Sequence, residues 1–296
     1  MGSVLNGATG WLLFVGLVLM TGAVVARWFI VPTASASADE AVEMRAEMAR
    51  LGVIGSALLV LGLGLFFLRQ LVEFRDPAFP WGEEASLLLS TPWGRTWLKA
   101  AFASLAATVS FAFAPRGGSW WMATGLTLAL GAFPALTGHA SAVERFTGLF
   151  VLADATHVWA AGAWIGGLTS VLWLDRTARR RDAGANALSR LVPPFSRIAM
   201  IAVASLIATG VLASWEHLPE PQALLTTAWG NLLVAKLVLV AGVLAIGARN
   251  FRVLTDRLGS PDGDAAMRRS ALLELAVAQL VLVLTALLVR TSPTGH

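Results

Sequence analysis

Long apolar stretches separated by short polar segments dominate the chain from end to end. A helix needs about 20 residues to cross the hydrocarbon core of a bilayer. A lipid-facing segment must also satisfy its own backbone hydrogen bonds, so each stretch is predicted to be helical. The pattern therefore predicts an all-α, polytopic integral membrane bundle that forms a single transmembrane domain over residues 1–296. We place its eight transmembrane helices at residues 10–31, 50–72, 95–114, 119–138, 149–174, 195–214, 229–248 and 270–290.

The composition agrees with a membrane protein and excludes several classes of function. Of the 296 residues, 56% are hydrophobic and only 14% are charged, whereas soluble domains carry about 25% charged residues. Cysteine is absent, which excludes thiolate metal ligands and cysteine nucleophiles. The sequence contains neither a Walker motif nor the HExxH motif of zinc proteases. We expect membrane lipids as surroundings, and neither an enzyme nor a protein that binds nucleic acid.

The distribution of arginine predicts the orientation in the membrane. With the N-terminus outside, about three times as many arginines lie near cytoplasmic span ends as near outer span ends. Positive residues close to span ends favour the cytoplasmic side. We therefore expect both termini outside, in the periplasm or extracellular space.

A faint internal repeat relates two segments that lie four spans apart. Residues 91–94 read Thr-Pro-Trp-Gly and precede Lys99, and residues 227–230 read Thr-Ala-Trp-Gly and precede Lys236. The two copies run in the same direction, which fits two parallel four-helix halves. The offset to the lysine differs by one residue between them.

The four histidines point most directly to chemistry, because the predicted topology places all of them on the outer side. His139 ends span four and His157 opens span five, so both flank one loop. Packed helices lie about 8–10 Å apart, a gap across which two imidazoles can share a metal ion such as Cu, Zn, Fe or Ni. The structural alternative is that these histidines only form hydrogen bonds with the backbone or water.

Nearby polar residues extend this candidate metal site. Asp154 lies three residues before His157 on the same helical face, where it either ligates the metal or orients the imidazole. Glu216 and His217 are adjacent on another outer loop and complete the candidate set. We interpret the C-terminal His296 as part of a tail.

Four residues within the spans are further functional candidates. Lys99 and Lys236 lie within about two turns of the outer end, where a lysine either snorkels or tunes a nearby ligand. Glu274 lies one turn into span eight, where we expect it to pair with an arginine near the inner face. Trp164 lies beside two glycines on span five, and small residues let helices approach closely. Span five is therefore expected to be central.

In the predicted topology, methionines and histidines lie toward opposite sides of the membrane. Most methionines lie toward the inner side, whereas the histidines lie outside. Thioethers favour Cu(I), and a site of histidine and carboxylate suits Cu(II) or a borderline ion. This asymmetry favours inward movement of a captured ion.

A set of motifs recurs in order along the second half of the chain. The motifs are Gly138-His139-Ala140, His157, Trp164-Ile165-Gly166-Gly167-Leu168, residues 227–230 with Leu233, Lys236 and Asn250, and Arg268-Arg269-Ser270-Ala271-Leu272-Leu273-Glu274. Together they resemble the CopD copper-resistance family over about residues 85–292, although that family more often has tyrosine where Trp229 stands.

This resemblance implies a multi-pass inner-membrane protein that transports copper, usually toward the cytoplasm, in copper resistance and homeostasis. It implies a separate periplasmic copper chaperone of the CopC type as a partner, and it carries over His139 and His157 as candidate ligands. We therefore expect uptake of copper, as Cu(II) or Cu(I), through an outer histidine site. Two alternatives stay open: a haem-binding membrane redox protein with axial histidines, and a sensor or assembly factor that holds copper.

Overall fold

The protein is a bundle of long helices, seen here in a computed structural model that describes residues 2–137, 147–181, 186–217, 222–289 and 291. Within these ranges no strand occurs, which confirms the predicted all-α class. The α-helices, in chain order, are α1 (Gly2–Val25), α2 (Val31–Ala34), α3 (Ala38–Glu73), α4 (Trp81–Ser90), α5 (Pro92–Phe113), α6 (Trp120–Thr137), α7 (Thr147–Ala161), α8 (Gly167–Arg180), α9 (Ala187–His217), α10 (Ala223–Thr226), α11 (Ala228–Arg249) and α12 (Pro261–Leu288).

Three π-helical segments interrupt or extend the long helices. The segment π1 (Ala26–Ile30) joins α1 to α2, π2 (Gly162–Gly166) joins α7 to α8, and π3 (Asn250–Leu254) continues α11. A π turn closes its hydrogen bonds five residues apart instead of four, and such turns occur frequently at functional sites. Each therefore changes which side chains face the interior of the bundle.

Among the residues that the structure describes, seven helices are long and apolar enough to cross a bilayer, which fits a polytopic membrane protein. They correspond to predicted spans one to three and five to eight. The helix α6 lies where span four was predicted, but its described part is not among the seven. The count of eight spans stays a prediction. The seven are Gly7–Ala34, Ala38–Glu73, Pro92–Phe113, Gly148–Arg180, Ala187–Ser214, Ala228–Arg257 and Pro261–Leu288.

The repeated Thr-x-Trp-Gly segments begin helices in the same way. The hydroxyl of Thr91 accepts a hydrogen bond from the Gly94 backbone N–H at 3.0 Å, and Thr227 accepts one from Gly230 at 3.0 Å. Threonine is a favourable N-cap because it satisfies a backbone donor that lacks a helical partner. A short helix, α4 or α10, precedes each cap. The local structure thus repeats where the sequence repeats.

The helices pack as two groups of four that differ in one contact. In the first group α1 packs on α3, α3 on α5, α5 on α6 and α6 on α1, so the ring is closed. In the second group α7 and α8 pack on α9, α11 packs on α12, and α12 contacts α8. Among the described residues, α9 and α11 hardly touch. The second group is therefore open where the first is closed.

A glycine contact joins the two groups at the centre of the bundle. The helix α1 packs on α3, α6, α12 and π2, and its span is the most deeply buried of the seven. A Cβ placed on Gly22 would lie 2.2 Å from the backbone carbon of Gly166, and one placed on Gly166 would lie 2.0 Å from the Val18 oxygen. Only glycine permits this backbone contact. The prediction that span five is central is therefore confirmed.

Ion pairs connect the helix ends on the arginine-rich side. Arg190 donates to both carboxylate oxygens of Glu40, at 2.7 and 2.8 Å, and so joins α9 to α3. Arg268 donates to Asp175 at 2.8 and 3.2 Å, which joins α12 to α8. Because these ends meet at one side, successive long helices run in alternating directions, as the predicted topology requires. Which side of the membrane this end faces stays a prediction.

Cysteine labelling tests the orientation in this cysteine-free chain. We expect Glu83→Cys, before α5, to react with an impermeant maleimide in intact cells. Arg180→Cys and Asp262→Cys lie at the arginine-rich end and should react only after the membrane is permeabilised. The parent chain without cysteine is the control, and labelling at position 180 or 262 in intact cells would contradict the orientation.

Replacement of a central glycine tests the close contact between α1 and π2. We expect Gly166→Ala to lower the free energy of unfolding by about 1–3 kcal/mol or more, because the added methyl meets backbone that must move. The measurement is the thermal unfolding midpoint in detergent. Gly125→Ala is the matched control, since a Cβ there meets nothing within 4 Å. Equal midpoints for the two variants would show that the contact does not limit packing.

Candidate functional site

His157 is the predicted histidine ligand whose side chain the structure describes. It lies half-buried on α7, and its Nδ1 is 2.9 Å from the Thr209 hydroxyl on α9. The Thr209 hydroxyl donates its single hydrogen to the Ser205 carbonyl at 2.7 Å. The hydroxyl must then accept from His157, so Nδ1 carries the proton and Nε2 keeps its lone pair. This tautomer leaves Nε2 free to bind a metal ion.

Gly210 on α9 and Lys236 on α11 lie near the His157 ring. A Cβ placed on Gly210 would lie 3.7 Å from the Cε1 atom of the ring, which is ordinary van der Waals contact. Lys236 is half-buried and lies close enough to act on the imidazole when it is protonated. A protonated Lys236 would weaken the binding of a second cation by His157.

Most of the other predicted ligands lie outside what the structure describes. His139 and His296 fall outside the described residues, and Glu216 and His217 end helix α9 with side chains that are not described. Asp154 is half-buried on α7, one turn before His157, as predicted. Within the described part of the chain, no three histidine or acidic side chains come together as a metal cluster. The full ligand set stays a prediction.

A second polar site lies deeper in the bundle, around Glu274. Its Oε1 accepts a hydrogen bond from the Trp164 indole N–H at 3.2 Å, and its Oε2 accepts one from the Asn250 amide at 3.0 Å. Ser270 donates its hydroxyl hydrogen to the side-chain oxygen of Asn250. The carboxylate therefore pairs with amide and indole donors, and the expected arginine partner is absent from its described contacts.

Both donors to Glu274 belong to π-helical segments. Trp164 is the third residue of π2, and Asn250 is the first residue of π3. The sequence had indicated Trp164 and Glu274 as functional candidates, but it did not single out Asn250 or Ser270 as site residues. Asn250 ends an otherwise apolar span, and such polar interruptions usually face the bundle interior. The position of Asn250 at the end of an apolar span is the feature of the sequence that could have identified it as a site residue.

A cavity of about 500 Å³ opens onto Glu274 from between α9 and α11. It occupies the gap that distinguishes the second group of helices from the first. Apolar side chains form most of its wall, and Trp164, Asn250 and Glu274 supply polar atoms. Met200 and Met267 also line it, as do Arg252 and Thr255 toward the arginine-rich end.

Lys99, another functional candidate from the sequence, lies away from both His157 and Glu274. Lys99 is exposed on α5, in the first group of helices, whereas His157 and Glu274 belong to the second group. An exposed lysine near a span end fits the snorkelling interpretation. Lys99 therefore takes no part in either polar site.

Comparison with known proteins identifies the family. The family model described as copper resistance protein D, CopD, matches residues 189–288. The inner membrane protein YebZ of Escherichia coli (strain K12) is 32% identical over 211 residues, which is 70% of this chain and 71% of YebZ. The chain belongs to the CopD family. It is thus a multi-pass inner-membrane protein with a copper-related function, as predicted.

Two further comparisons define how far the similarity extends. The copper transport protein CutJ of Bacillus subtilis (strain 168) is 33% identical over 118 residues, which is 40% of this chain and only 21% of CutJ. No solved structure matches the chain. The family description and the name of CutJ both refer to copper.

The CopD match covers only part of each polar site. Residues 189–288 include Thr209, Lys236, Asn250 and Glu274. His157 and Trp164 precede this segment and reach it through their hydrogen bonds to Thr209 and Glu274. Span five therefore supplies one residue to each site from outside the matched region.

The hydrogen bond between His157 and Thr209 can be tested by metal binding. We expect His157→Ala to abolish binding of Cu(II) at the outer site of the purified protein. Thr209→Val removes the partner that holds the ring, and such losses typically cost about 10–100-fold in metal affinity. Cu(II) binding followed by electron paramagnetic resonance measures both effects. Ser205→Ala, one turn away on α9, is the matched control, and unchanged affinity in Thr209→Val would dismiss this role for the hydroxyl.

Proposed function

We propose that this CopD-family protein transports copper ions across the cytoplasmic membrane, from the outer side to the cytoplasm. The observation that carries the proposal is the His157 ring, held by Thr209 so that Nε2 is free to bind a metal ion. Neutral imidazole is the commonest ligand for copper and similar metals in proteins. His139 and Asp154 are the further ligands we propose, with Glu216 and His217 at the outer helix end.

The order of the two polar sites supports a path through the second group of helices. Trp164 follows His157 by seven residues on one nearly continuous helix, a rise of about 10 Å. The cavity that contains Glu274 lies on the arginine-rich side of His157, which is cytoplasmic in the proposed orientation. An ion leaving His157 inward therefore meets the cavity that contains Glu274 before it reaches the inner surface.

Lys236 fits transport better than storage. A conducting path must bind an ion strongly enough to admit it and weakly enough to release it. When protonated, Lys236 acts on the His157 ring and opposes long residence of a cation there. A protein that only holds copper gains nothing from such repulsion.

The chemistry of the ligands supports the inward direction. Imidazole and carboxylate on the outer side suit Cu(II) or a borderline ion, whereas Met200 and Met267 line the cavity on the inner side. Imidazole also binds Cu(I), so an ion that enters as Cu(I) reaches these softer ligands without a change of oxidation state. We further propose that a separate periplasmic chaperone of the CopC type delivers copper to the outer end.

Cellular copper content tests the transport proposal. We expect cells that express the protein to accumulate more copper and to be more sensitive to it than cells that express the His139→Ala/His157→Ala double variant at equal protein level. Elemental analysis of washed cells and growth in graded copper measure the two effects. The Ser205→Ala variant controls for substitution within the same helices and should behave as the unmodified protein. Lower copper content with the intact protein would reverse the direction, and no difference would refute transport.

A further inference from the structure

We propose that Glu274 and Gly247 form a second binding site for copper, specific for Cu(I), within the inner cavity. This site rests on the proposed transport function and gives it an internal station between His157 and the cytoplasm. The structural basis is a buried carboxylate that faces a cavity through the gap left by a glycine.

The hydrogen bonds around Glu274 favour its anionic form. Each carboxylate oxygen accepts one N–H bond, from Trp164 or Asn250. A carboxylate has about four lone-pair positions, so two stay available after these bonds form.

Burial disfavours the ionised form of Glu274 as long as the carboxylate lacks a counter-ion. The side chain is 5% exposed, and no ion pair to it occurs among residues 2–137, 147–181, 186–217, 222–289 and 291. Arg252 lines the same cavity but is itself exposed. A buried charge is costly unless it is paired, and ionisable residues within spans commonly mark ion pathways. A monovalent metal cation would neutralise this carboxylate.

Gly247 leaves the carboxylate accessible from α11. A Cβ placed on Gly247 would lie 3.5 Å from Oε1 and 3.8 Å from Oε2 of Glu274, which is ordinary van der Waals contact. Any larger side chain at this position would therefore cover the oxygens that the two donors leave free. The position needs no unusual backbone conformation, so access to the carboxylate is what the glycine provides here.

The other ligands in the cavity favour Cu(I). Met267, Ala271 and Glu274 follow one another at helical spacing and line the same cavity wall. Met200 faces the cavity from α9. Thioethers are soft ligands that prefer Cu(I) to harder cations. One carboxylate and two thioether side chains thus line a single cavity of about 500 Å³.

Cu(I) titration of the purified full-length protein tests this site. The protein in detergent competes with a chromophoric Cu(I) chelator under anaerobic conditions, and the absorbance gives stoichiometry and affinity. We expect Glu274→Gln to weaken binding at one site by at least about tenfold, as loss of a supporting metal-site group typically does. Gly247→Val should have a similar effect because its side chain covers the carboxylate. His157→Ala should leave this site intact.

The chain offers a matched control for the glycine substitution. Gly242 lies on the same helix, and a Cβ there meets nothing within 4 Å. Gly242→Val should therefore bind Cu(I) as the unmodified protein does. Unchanged stoichiometry and affinity in both Glu274→Gln and Gly247→Val would overturn the proposal. If Glu274→Gln fails to fold, as judged by size-exclusion chromatography, Gly247→Val alone decides: weakened binding supports the site and unchanged binding refutes it.

The failure of this site and the failure of transport are distinguishable. Transport fails when expression of the intact protein leaves cellular copper unchanged, whatever the purified protein binds. The inner site fails when the two variants bind Cu(I) normally, whatever the cells accumulate. Reduced cellular uptake by Glu274→Gln together with normal Cu(I) binding would also overturn the site, since it would assign the carboxylate to proton movement or to packing.

Discussion

The backbone contact between Gly22 and Gly166 is the constraint on which the rest of the structure depends. It places α1 directly against π2 and so joins the two groups of helices at the centre of the bundle. In a membrane, helices associate through close packing of small residues, because lipid offers no hydrophobic drive between them. Gly162 extends the contact by one turn, since a Cβ there would lie 2.6 Å from the Thr21 side chain.

This contact also determines where the functional side chains point. The segment pressed against α1 is itself π-helical, and it carries Trp164 on the side away from the glycines. Trp164 then reaches Glu274 on α12. Because π3 turns Asn250 toward the same carboxylate, two irregular segments meet at one buried acid. The two π-helical segments thus supply both hydrogen-bond donors to the buried Glu274 carboxyl group.

Acidic side chains have different partners at the arginine-rich end of the bundle and inside the membrane span. At the arginine-rich end, acidic residues such as Asp175 and Glu40 are satisfied by arginines and connect helix ends. Inside the span, Glu274 receives only neutral donors, which stabilise a carboxylate without cancelling its charge. A fixed ion pair positions helices, whereas a charge left uncancelled beside a cavity attracts a mobile cation. The open gap between α9 and α11 makes that cavity.

The sequence by itself determined the features that depend on neighbouring residues. Span length and polarity predicted the helices, Thr91 and Thr227 marked two helix starts, and the motifs indicated the CopD family. His157, Trp164 and Glu274 were recognised because polar or aromatic groups stand out within apolar spans. The candidate ligands His139, Glu216 and His217 stay predictions.

Only the tertiary structure decided which of these groups meet. Trp164 and Glu274 are 110 residues apart, and the partner expected for Glu274 was an arginine. Of the two arginines in its own helix, Arg268 is bound to Asp175 instead. The two π segments turn Trp164 and Asn250 toward the carboxylate. Local hydrophobic patterns cannot show these pairings, because π turns and backbone contacts between glycines depend on how distant helices pack.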